Sequence, residues 1–296
     1  MTSATPSPIA VSIVVPMHDA AASLPGLTQA LARQTVPAEQ VQILLVDNGS
    51  ADDTVAWLQA HPLSNAELLH SERPRNAYVA RNVGVRQAVG PVVAFTDSDC
   101  RPEPDWLERG LDALRHSRRA AGRIVMQRSR QQGLVEEMDA SRFLRQRRYA
   151  REAFGATANL FVRREVFDRI GLFDERMISG GDQEFGARAQ AAGLDITYAD
   201  RAVVRHPACR EFGALLAKAH RVGVGFGQAL RYHSLERIAA RERFVDRLLL
   251  MGRVWNEPSW SLRTRMTLTG GHALLAVGTA VGCARGLCGR VDAPAE

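Results

Sequence analysis

Residues 91–99 read Pro-Val-Val-Ala-Phe-Thr-Asp-Ser-Asp, an apolar run that ends in acidic residues. An unbroken run of apolar and β-branched residues predicts a strand buried on both faces, which is typical of a parallel sheet. The run ends on two carboxylates, Asp97 and Asp99. Because ligands bind beyond the carboxyl ends of parallel strands, we expect a binding site where this strand stops.

The segments before this strand repeat an alternation of strand and helix. Apolar runs predict three further strands, and helical spacing of apolar residues predicts three helices. The strands cover residues 11–15, 41–46 and 66–70, and the helices cover 24–34, 51–60 and 76–89. Such repeated units predict an α/β fold with a mixed, mainly parallel sheet flanked by helices.

The pattern beyond residue 120 is less regular but continues to about residue 206. It predicts helices over 133–148, 164–170 and 180–192, and strands over 156–162, 194–199 and 202–205. No linker composition marks a boundary before about residue 210. The sequence therefore predicts one α/β domain over residues 1–210 and a helical extension over residues 211–296.

Composition limits the function classes that the chain can serve. Its 296 residues are 46% hydrophobic and 24% charged, which excludes a disordered chain. Only Lys218 among 38 basic residues is a lysine, and the net charge of +6 is compatible with an anionic or phosphate-bearing partner. Aromatic residues make up only 6% and no basic–aromatic motif occurs, so nucleic-acid binding is not expected.

The cysteines and the N-terminus indicate a cellular compartment. Four scattered cysteines without a C-x-x-C pair argue against a disulfide framework and against structural zinc. Residues 1–8 lack the basic and apolar regions of a secretory signal. We therefore expect a cytoplasmic protein, with peripheral contact at the inner face of the cytoplasmic membrane as a further hypothesis.

Acidic residues follow two of the predicted strands. Asp47 comes after the second strand, and Asp97 and Asp99 come after the fourth. Carboxylates that lie close together repel unless a cation or hydrogen-bond donors offset their charge. Mg²⁺ or Mn²⁺ bridging to phosphate oxygens would resolve this repulsion. Turn formation and helix capping are the structural alternative for the same residues.

In their order and spacing, these segments resemble the family 2 glycosyltransferases, which have the GT-A fold. The matching segments are residues 11–18, 46–52, 80–84, 95–99, 158–164, 171–175 and 181–188. The resemblance covers about residues 11–206. It implies an inverting, non-processive enzyme that moves one sugar from a nucleotide-diphosphate donor to a glycan, lipid-linked or small-molecule acceptor. A UDP-sugar is the favoured donor and a GDP-sugar the alternative.

The resemblance also implies roles for residues on the nucleotide side of the site. The backbone after Pro16, together with His18, would border the nucleotide. Asp47 would hydrogen-bond the base, and Arg81 would line the same pocket. These roles predict that residues from three separate strand–helix junctions converge on one ligand.

Further roles follow for the acidic residues. Asp97 and Asp99 match the D-x-D motif, so Asp97 would face the ribose or a metal-bound water, and Asp99 would bind Mn²⁺ or Mg²⁺ on the diphosphate. Asp182 matches the catalytic acid, which takes the proton of the acceptor hydroxyl. The family's usual acidic residue before it is Gly181 here, so Glu184 stays open as an alternative base. Both acidic residues are also favoured by the dipole of the helix that they begin.

The chemistry agrees with these roles. Negative charge develops on the departing diphosphate, which a metal stabilises, and the weakly nucleophilic hydroxyl needs a base. Direct attack from the opposite face inverts the anomeric centre. His206, after the last strand, is a further candidate for the metal or the diphosphate, with a structural role as the alternative.

Two other functions compete with this interpretation. A sugar-phosphate nucleotidyltransferase would need a glycine- and arginine-rich loop and a lysine after the first strand, but residues 16–23 contain none of these. A non-catalytic nucleotide-sugar-binding protein is supported by Gly181 alone.

The tail contains an uncharged segment, residues 266–284, between arginines. Its length reaches that of a membrane span, whereas its threonines, glycines and His272 argue against one. We therefore expect residues 253–290 to make peripheral membrane contact, with an ordinary packed helix as the alternative.

Overall fold

The computed structural model describes residues 9–71, 76–131, 133–233, 254–256 and 260–289. The chain divides into two compact units. The first comprises Met1–Val125, Arg145–Glu175 and Asp182–Pro207, and the second comprises Met126–Leu144, Arg176–Gly181 and Ala208–Glu296. The boundary predicted at residue 210 stays a prediction.

Eight strands form one sheet in the order β3-β2-β1-β4-β7-β6-β8-β5. The strands are β1 Val11–Met17, β2 Val41–Asp47, β3 Ala66–His70, β4 Val92–Thr96, β5 Arg101–Pro102, β6 Arg119–Gln127, β7 Asn159–Arg163 and β8 Ile196–Pro207. The four strands from β3 to β4 are parallel, whereas β7 runs antiparallel to β4 and to β6, and β5 runs antiparallel to β8. The predicted mixed sheet is confirmed.

The helices that accompany the sheet are α1 Leu24–Ala32, α2 Thr54–Ala60, α3 Ala77–Gln87, α4 Trp106–Ala113, α6 Gln146–Arg151, α7 Arg164–Ile170 and α8 Gly181–Ala191. The second unit contains α5 Leu134–Arg142, α9 Phe212–His233 and α10 Leu262–Cys288. A C-terminal helical region is therefore present, as predicted.

The parallel half of the sheet is built on β1. All seven residues of β1 are buried between β2 and β4, as expected for an apolar run in the middle of a parallel sheet. On the covering helix α3, a Cβ added at Gly84 would lie 2.4 Å from a methyl carbon of Val14. Glycine therefore lets α3, which carries Arg81, approach β1 closely.

The antiparallel half is held by one buried amide, the side chain of Asn159 at the start of β7. Its Nδ2 donates to the carbonyl oxygens of Arg123 and Ala202, both at 2.9 Å, and its Oδ1 accepts from Trp106 Nε1 at 2.8 Å. Because each buried polar atom is paired, Asn159 joins β6, β8 and the start of α4 without a desolvation penalty.

The second unit has an apolar core between α5, α9 and α10. The buried core residues are Met138, Phe143, Leu215, Ala219, Val254, Leu268 and Leu275. Within this unit, the fully buried Asp139 accepts from Lys218 Nζ at 2.8 Å and from the backbone N–H of Cys209 at 2.9 Å. The only lysine of the chain thus neutralises a buried carboxylate.

Gln228 of α9 holds the short segment 176–181 within the second unit. Its Oε1 accepts from the backbone N–H of Ile178 at 3.0 Å, and its Nε2 donates to the carbonyl oxygen of Arg176 at 3.0 Å. This paired contact fixes the backbone that precedes α8 in the chain.

Several predicted elements need correction. The helix predicted over 133–148 is broken, because the chain leaves α5 at Phe143 and Leu144 has a φ of 56° before α6 begins. The strands predicted over 194–199 and 202–205 form the single strand β8, in which Asp200 and Arg201 are exposed. No element is predicted over 101–127, where the structure has β5, α4 and β6.

Candidate active site

Two predicted nucleotide-side residues lie on or next to β1. Pro16 is buried within the strand and is aligned with Val46 of β2. His18 follows the strand and is exposed, with its Nε2 3.5 Å from Oδ2 of Asp19. Pro16 is therefore part of the rigid sheet, whereas His18 is on the loop that faces solvent.

The loops after β1 and β2 are joined by hydrogen bonds. Asp19 Oδ1 accepts from the backbone N–H of Ala51 at 2.8 Å, and the Asp19 N–H donates to Ser50 Oγ at 3.0 Å. The N–H of Ala20 donates to Thr54 Oγ1 at 2.7 Å. The residues that follow β2 therefore hold the loop after β1 in place. The sequence did not predict this structural role, because the hydrogen bonds join residues more than thirty positions apart.

Asp47 ends β2 directly beside Met17, the last residue of β1. Its carboxylate is nearly buried and accepts from the backbone N–H groups of Gly49 and Ser50 at 3.3 and 3.2 Å. His70 Nδ1 lies 3.6 Å from its Oδ2. One strand separates β2 from β4, so the ends of these strands, and with them Asp47 and the D-x-D segment, are roughly 9–10 Å apart.

Arg81 connects α3 with the D-x-D segment. Its side chain is almost fully buried, and Nη2 donates to Asp97 Oδ1 at 2.8 Å. The guanidinium lies over the Tyr78 ring, 5.3 Å from the ring centroid. Its buried Nε has no hydrogen-bond partner among the described residues. A buried guanidinium with an unused donor is suited to bind a phosphate or a carboxylate oxygen.

The neighbouring residue, Asn82, is hydrogen-bonded to another of the matching segments, residues 171–175. Its Nδ2 donates to the carbonyl oxygen of Phe173 at 2.9 Å, and its Oδ1 accepts from the N–H of Phe173 at 3.1 Å. Asn82 Nδ2 also lies 3.0 Å from Glu175 Oε1. The segment 171–175 therefore holds α3 in place, which fixes Arg81 beside it.

The pairing of β5 with β8 brings His206 to the D-x-D segment. Arg101 lies opposite Arg205, and His206 Nε2 is 3.6 Å from Asp99 Oδ2. His206 Nδ1 lies 2.7 Å from the carbonyl oxygen of Pro207. Since a carbonyl oxygen can only accept, Nδ1 carries the proton, and in the neutral ring Nε2 is the acceptor that faces Asp99.

The two acceptor atoms, His206 Nε2 and Asp99 Oδ2, would repel each other unless a cation or a proton lies between them. The ligand atoms of Asp99, Cys100 and His206 lie within 4.8 Å of one another. Burial and the charges of Asp97 and Asp99 raise the pKa of the Cys100 thiol, so it stays protonated and is a poor metal ligand. Asp99 and His206 fit a divalent cation, and the imidazole favours a transition metal over Mg²⁺.

Asp182 is the second residue of α8. Burial raises the pKa of its carboxyl group, against the charge of Arg81 and hydrogen bonds from the backbone of Gln183 and Thr157. The Gln183 N–H donates to its Oδ1 at 2.9 Å. A carboxyl group whose pKa is raised by burial is a stronger base than an exposed one and is suited to accept a proton.

Glu184, the alternative base, lies in a different environment. It is 1% exposed, and both of its oxygens accept from the guanidinium of Arg188. Arg188 also donates to the carbonyl oxygens of Ile170 and Leu172. These contacts commit Glu184 to holding the chain that follows α7.

Two aromatic residues near Asp182 were not predicted from the sequence. Tyr78 Oη lies 3.4 Å from the Asp182 nitrogen, and its ring lies beneath Arg81. Burial, with a contribution from the charge of Asp182, raises the pKa of Tyr149. The position of Tyr78 one helical turn before Arg81 is a signal that could have identified it. Arg81 thus binds Asp97 and acts through its charge on Asp182, while Asp99 and His206 form a second pair.

The sequence matches the family described as glycosyl transferase family 2 over residues 12–171, and glycosyl transferase family group 2 over residues 92–284. The first match covers more than half of the chain. The chain therefore belongs to glycosyltransferase family 2 and is a glycosyltransferase, which confirms the family and the enzyme class predicted from its motifs. The nucleotidyltransferase and binding-protein alternatives are correspondingly disfavoured.

A relative and two solved structures agree with this assignment. Glycosyltransferase AglE of Haloferax volcanii is 32% identical over 275 residues, covering 91% of this chain and 88% of the relative. Mannosyltransferase PcManGT from Pyrobaculum calidifontis, in complex with GDP-Man and Mn²⁺, aligns with 96% of this chain and 89% of its own (TM-score 0.63, 17% identity). TarS 1-349 of S. aureus, in complex with UDP-GlcNAc, aligns with 95% of this chain and 92% of its own (TM-score 0.55, 17% identity). The structural likeness confirms the GT-A fold.

Proposed function

We propose that this glycosyltransferase moves one sugar from a nucleotide-diphosphate sugar to an acceptor hydroxyl, with inversion and without processive transfer. The observation that supports this most directly is that a single guanidinium, that of Arg81, interacts with two of the proposed site residues. Its guanidinium binds Asp97 of the D-x-D motif, and its charge acts on Asp182. Groups suited to a donor phosphate and to an acceptor proton are therefore close together in one unit.

Both UDP- and GDP-sugars are candidate donors. The two structurally similar enzymes were solved with GDP-Man and with UDP-GlcNAc, so the fold accommodates either nucleotide. In our proposal Pro16, His18 and Asp47 border the nucleotide, at the ends of β1 and β2. Arg81 contributes its unused Nε donor on the phosphate side.

Asp99 and His206 would hold a divalent metal, Mn²⁺ or Mg²⁺, with Asp97 as the neighbouring carboxylate. The carboxylate–imidazole pair and its acceptor-to-acceptor contact fit such an ion. When bound, the metal would stabilise the negative charge on the departing diphosphate. The solved Pyrobaculum enzyme contains Mn²⁺.

Asp182 is the proposed general base. Its carboxylate takes the proton of the acceptor hydroxyl as the oxygen forms a bond to the anomeric carbon and the bond from that carbon to the diphosphate oxygen breaks. The proton thus ends on Asp182, and the electron pair leaves with the diphosphate. Attack opposite the leaving group inverts the anomeric centre. The acceptor is a glycan, a lipid-linked molecule or a small molecule.

Metal-dependent release of nucleoside diphosphate tests the proposal. Wild-type protein is incubated with a panel of UDP- and GDP-sugars, with candidate acceptors and with or without Mn²⁺. Asp99→Asn and Asp182→Asn are expected to slow release by about a hundredfold or more. Asp112→Asn is a matched control, since Asp112 is 59% exposed on α4 and pairs only with its neighbour Arg115 among the described residues.

Unchanged turnover in both site variants would overturn the assigned roles. Release that does not depend on a sugar acceptor would instead indicate donor hydrolysis. All proposed catalytic residues precede residue 210, which agrees with a catalytic domain over residues 1–210, expected in the cytoplasm.

A further inference from the structure

The outer face of α10 is apolar along most of the helix. We use this name for the exposed residues Met266, Ala273, Leu274, Val277, Val281 and Ala284, which recur at helical spacing. Val277, at the middle, is 60% exposed. No described residue of the second unit covers this face, and it extends for about 27 Å at 1.5 Å per residue. An exposed apolar strip of this length marks a docking surface.

Two polar residues of α10, in contrast, are turned inward. His272 and Thr279 are buried, and Thr279 Oγ1 accepts from Arg142 Nη2 at 3.1 Å. In a helix that packs on a protein core and faces water, polar residues point outward and apolar residues point inward. On α10 the exposed positions from 273 to 284 are all alanine, leucine or valine, which indicates that the outer face meets an apolar medium.

The contact between α9 and α10 is made by glycines. A Cβ at Gly223 would lie 2.0 Å from the carbonyl oxygen of Thr279, and one at Gly282 would lie 2.1 Å from that of His220. The two backbones therefore approach to a distance that only glycine allows. Glycine-lined contacts between helices are typical of proteins that work in lipid, where apolar surface gives helices little reason to associate.

Charged and aromatic residues lie at the ends of the outer face. Arg263 and Arg285 are exposed on either side of the uncharged stretch, and Trp255 is exposed just before α10. Arginine can reach lipid phosphates, and tryptophan is enriched at the boundary between headgroups and acyl chains. This charge pattern complements an anionic membrane surface.

We propose that the outer face of α10 docks on an anionic lipid bilayer, with the helix lying in the plane of the membrane. By length and composition, α10 is the one helix among the described residues that could also cross a membrane. The in-plane orientation follows because the apolar surface is exposed on one side only: the opposite side packs on α9, which exposes Arg221. The proposal does not depend on the sugar transferred. Residues 253, 257–259 and 290 of the contact segment predicted from the sequence lie outside the described residues.

Flotation with vesicles tests the proposal on the full chain without any activity measurement. Wild-type protein is expected to float with vesicles of phosphatidylcholine and phosphatidylglycerol, and less with phosphatidylcholine alone. Val277→Glu puts a charge in the centre of the docked face and should lower the bound fraction by about tenfold or more. Val89→Glu is the matched control, because Val89 is 65% exposed in the first unit and belongs to no apolar face of this kind.

The outcomes separate the possible occupants of the face. Binding lost in Val277→Glu and kept in Val89→Glu, with both variants folded by circular dichroism, supports the proposal. A wild-type protein that stays unbound, or a Val277→Glu variant that floats like wild type, overturns it. Sedimentation without vesicles reports on a second copy: a wild-type dimer that Val277→Glu dissociates would mean that the face joins two chains, which also overturns the proposal.

Discussion

Replacing Asp182 and Glu184 separately by their amides distinguishes the two carboxylates at the start of α8. Asp182→Asn preserves the shape of the side chain but removes the proton acceptor. General-base catalysis contributes about 10²–10⁴ in rate, so kcat is expected to fall by about that factor. The KM for the donor should stay nearly constant, because the lost interaction acts in the transition state rather than in donor binding.

Glu184→Gln should act on stability instead. Glu184 is 1% exposed, and Arg188 donates to both of its oxygens. The amide keeps one acceptor oxygen but turns an NH₂ group toward the guanidinium. Losing one charge-assisted hydrogen bond costs about 1.5–3 kcal/mol. Because the Arg188 side chain is 31% exposed, we expect about 2 kcal/mol, at the lower end of the range. This lowers Tm by roughly 4–8 °C.

The two effects are measured on the same preparations. Release of nucleoside diphosphate at saturating donor and acceptor gives kcat, and thermal unfolding followed by circular dichroism gives Tm. Asp112→Asn should leave both quantities unchanged. If Asp182→Asn keeps most of its activity while folded Glu184→Gln loses it, then Glu184 is the base and the assignment of Asp182 is wrong.

Three further predictions concern charged residues. The charge of Arg81 lowers the pKa of Asp182, so Arg81→Gln should shift the acid limb of the kcat–pH profile to higher pH, and Arg81→Lys should shift it less. An unmoved limb would show that the charge of Arg81 does not act on the catalytic base. His206→Ala should weaken Mn²⁺ binding in the presence of nucleotide by roughly tenfold or more, measured by electron paramagnetic resonance, whereas unchanged affinity removes His206 from the ligand set. Lys218→Met leaves Asp139 buried without its partner and should cost about 3–5 kcal/mol in urea unfolding. Adding Asp139→Leu should recover most of this loss, and a double variant as unstable as the single one would refute the argument.

The parallel half of the fold was predictable because its signals are local. The strands β1, β2 and β4 are short apolar runs, and each strand from β1 to β4 is followed by residues that favour turns or helix starts. The resulting strand–helix units specify a parallel sheet, and the sheet specifies the edge at which Asp47, Asp97 and Asp99 lie.

The region from β5 to β6 was not predictable because its structure depends on distant partners. Arg119 begins β6 and looks like a surface residue, yet it is 1% exposed and donates to the carbonyl oxygens of Ala153 and Leu194. Asn159 likewise looks unremarkable in a strand, although its amide joins β6, β8 and α4. Neither set of contacts leaves a periodic pattern in the sequence from which it could be predicted.

The candidate site divides in the same way. The motif order identified the carboxylates, but the sequence could not reveal that Arg81 binds Asp97 and that its charge also acts on Asp182, about a hundred positions later in the chain. Nor could it distinguish Asp182 from Glu184, because both occupy the first turn of one helix. Their difference arises from Arg188, which pairs with Glu184 alone among the described residues of that turn.

The pairing of β5 with β8 has a consequence for the order in which the protein is made. Asp99 leaves the ribosome about a hundred residues before His206, and their contact depends on two-residue strand β5 pairing with the end of β8. Contacts of such long sequence separation close late, after the local strand–helix units have formed. A nascent chain that has completed β1 to β4 can thus form the edge of the sheet that carries Pro16 and Asp47 before His206 is available to pair with Asp99. If Asp99 and His206 hold the metal as proposed, chains interrupted before β8 should show no metal-dependent activity even where the strands β1 to β4 have formed.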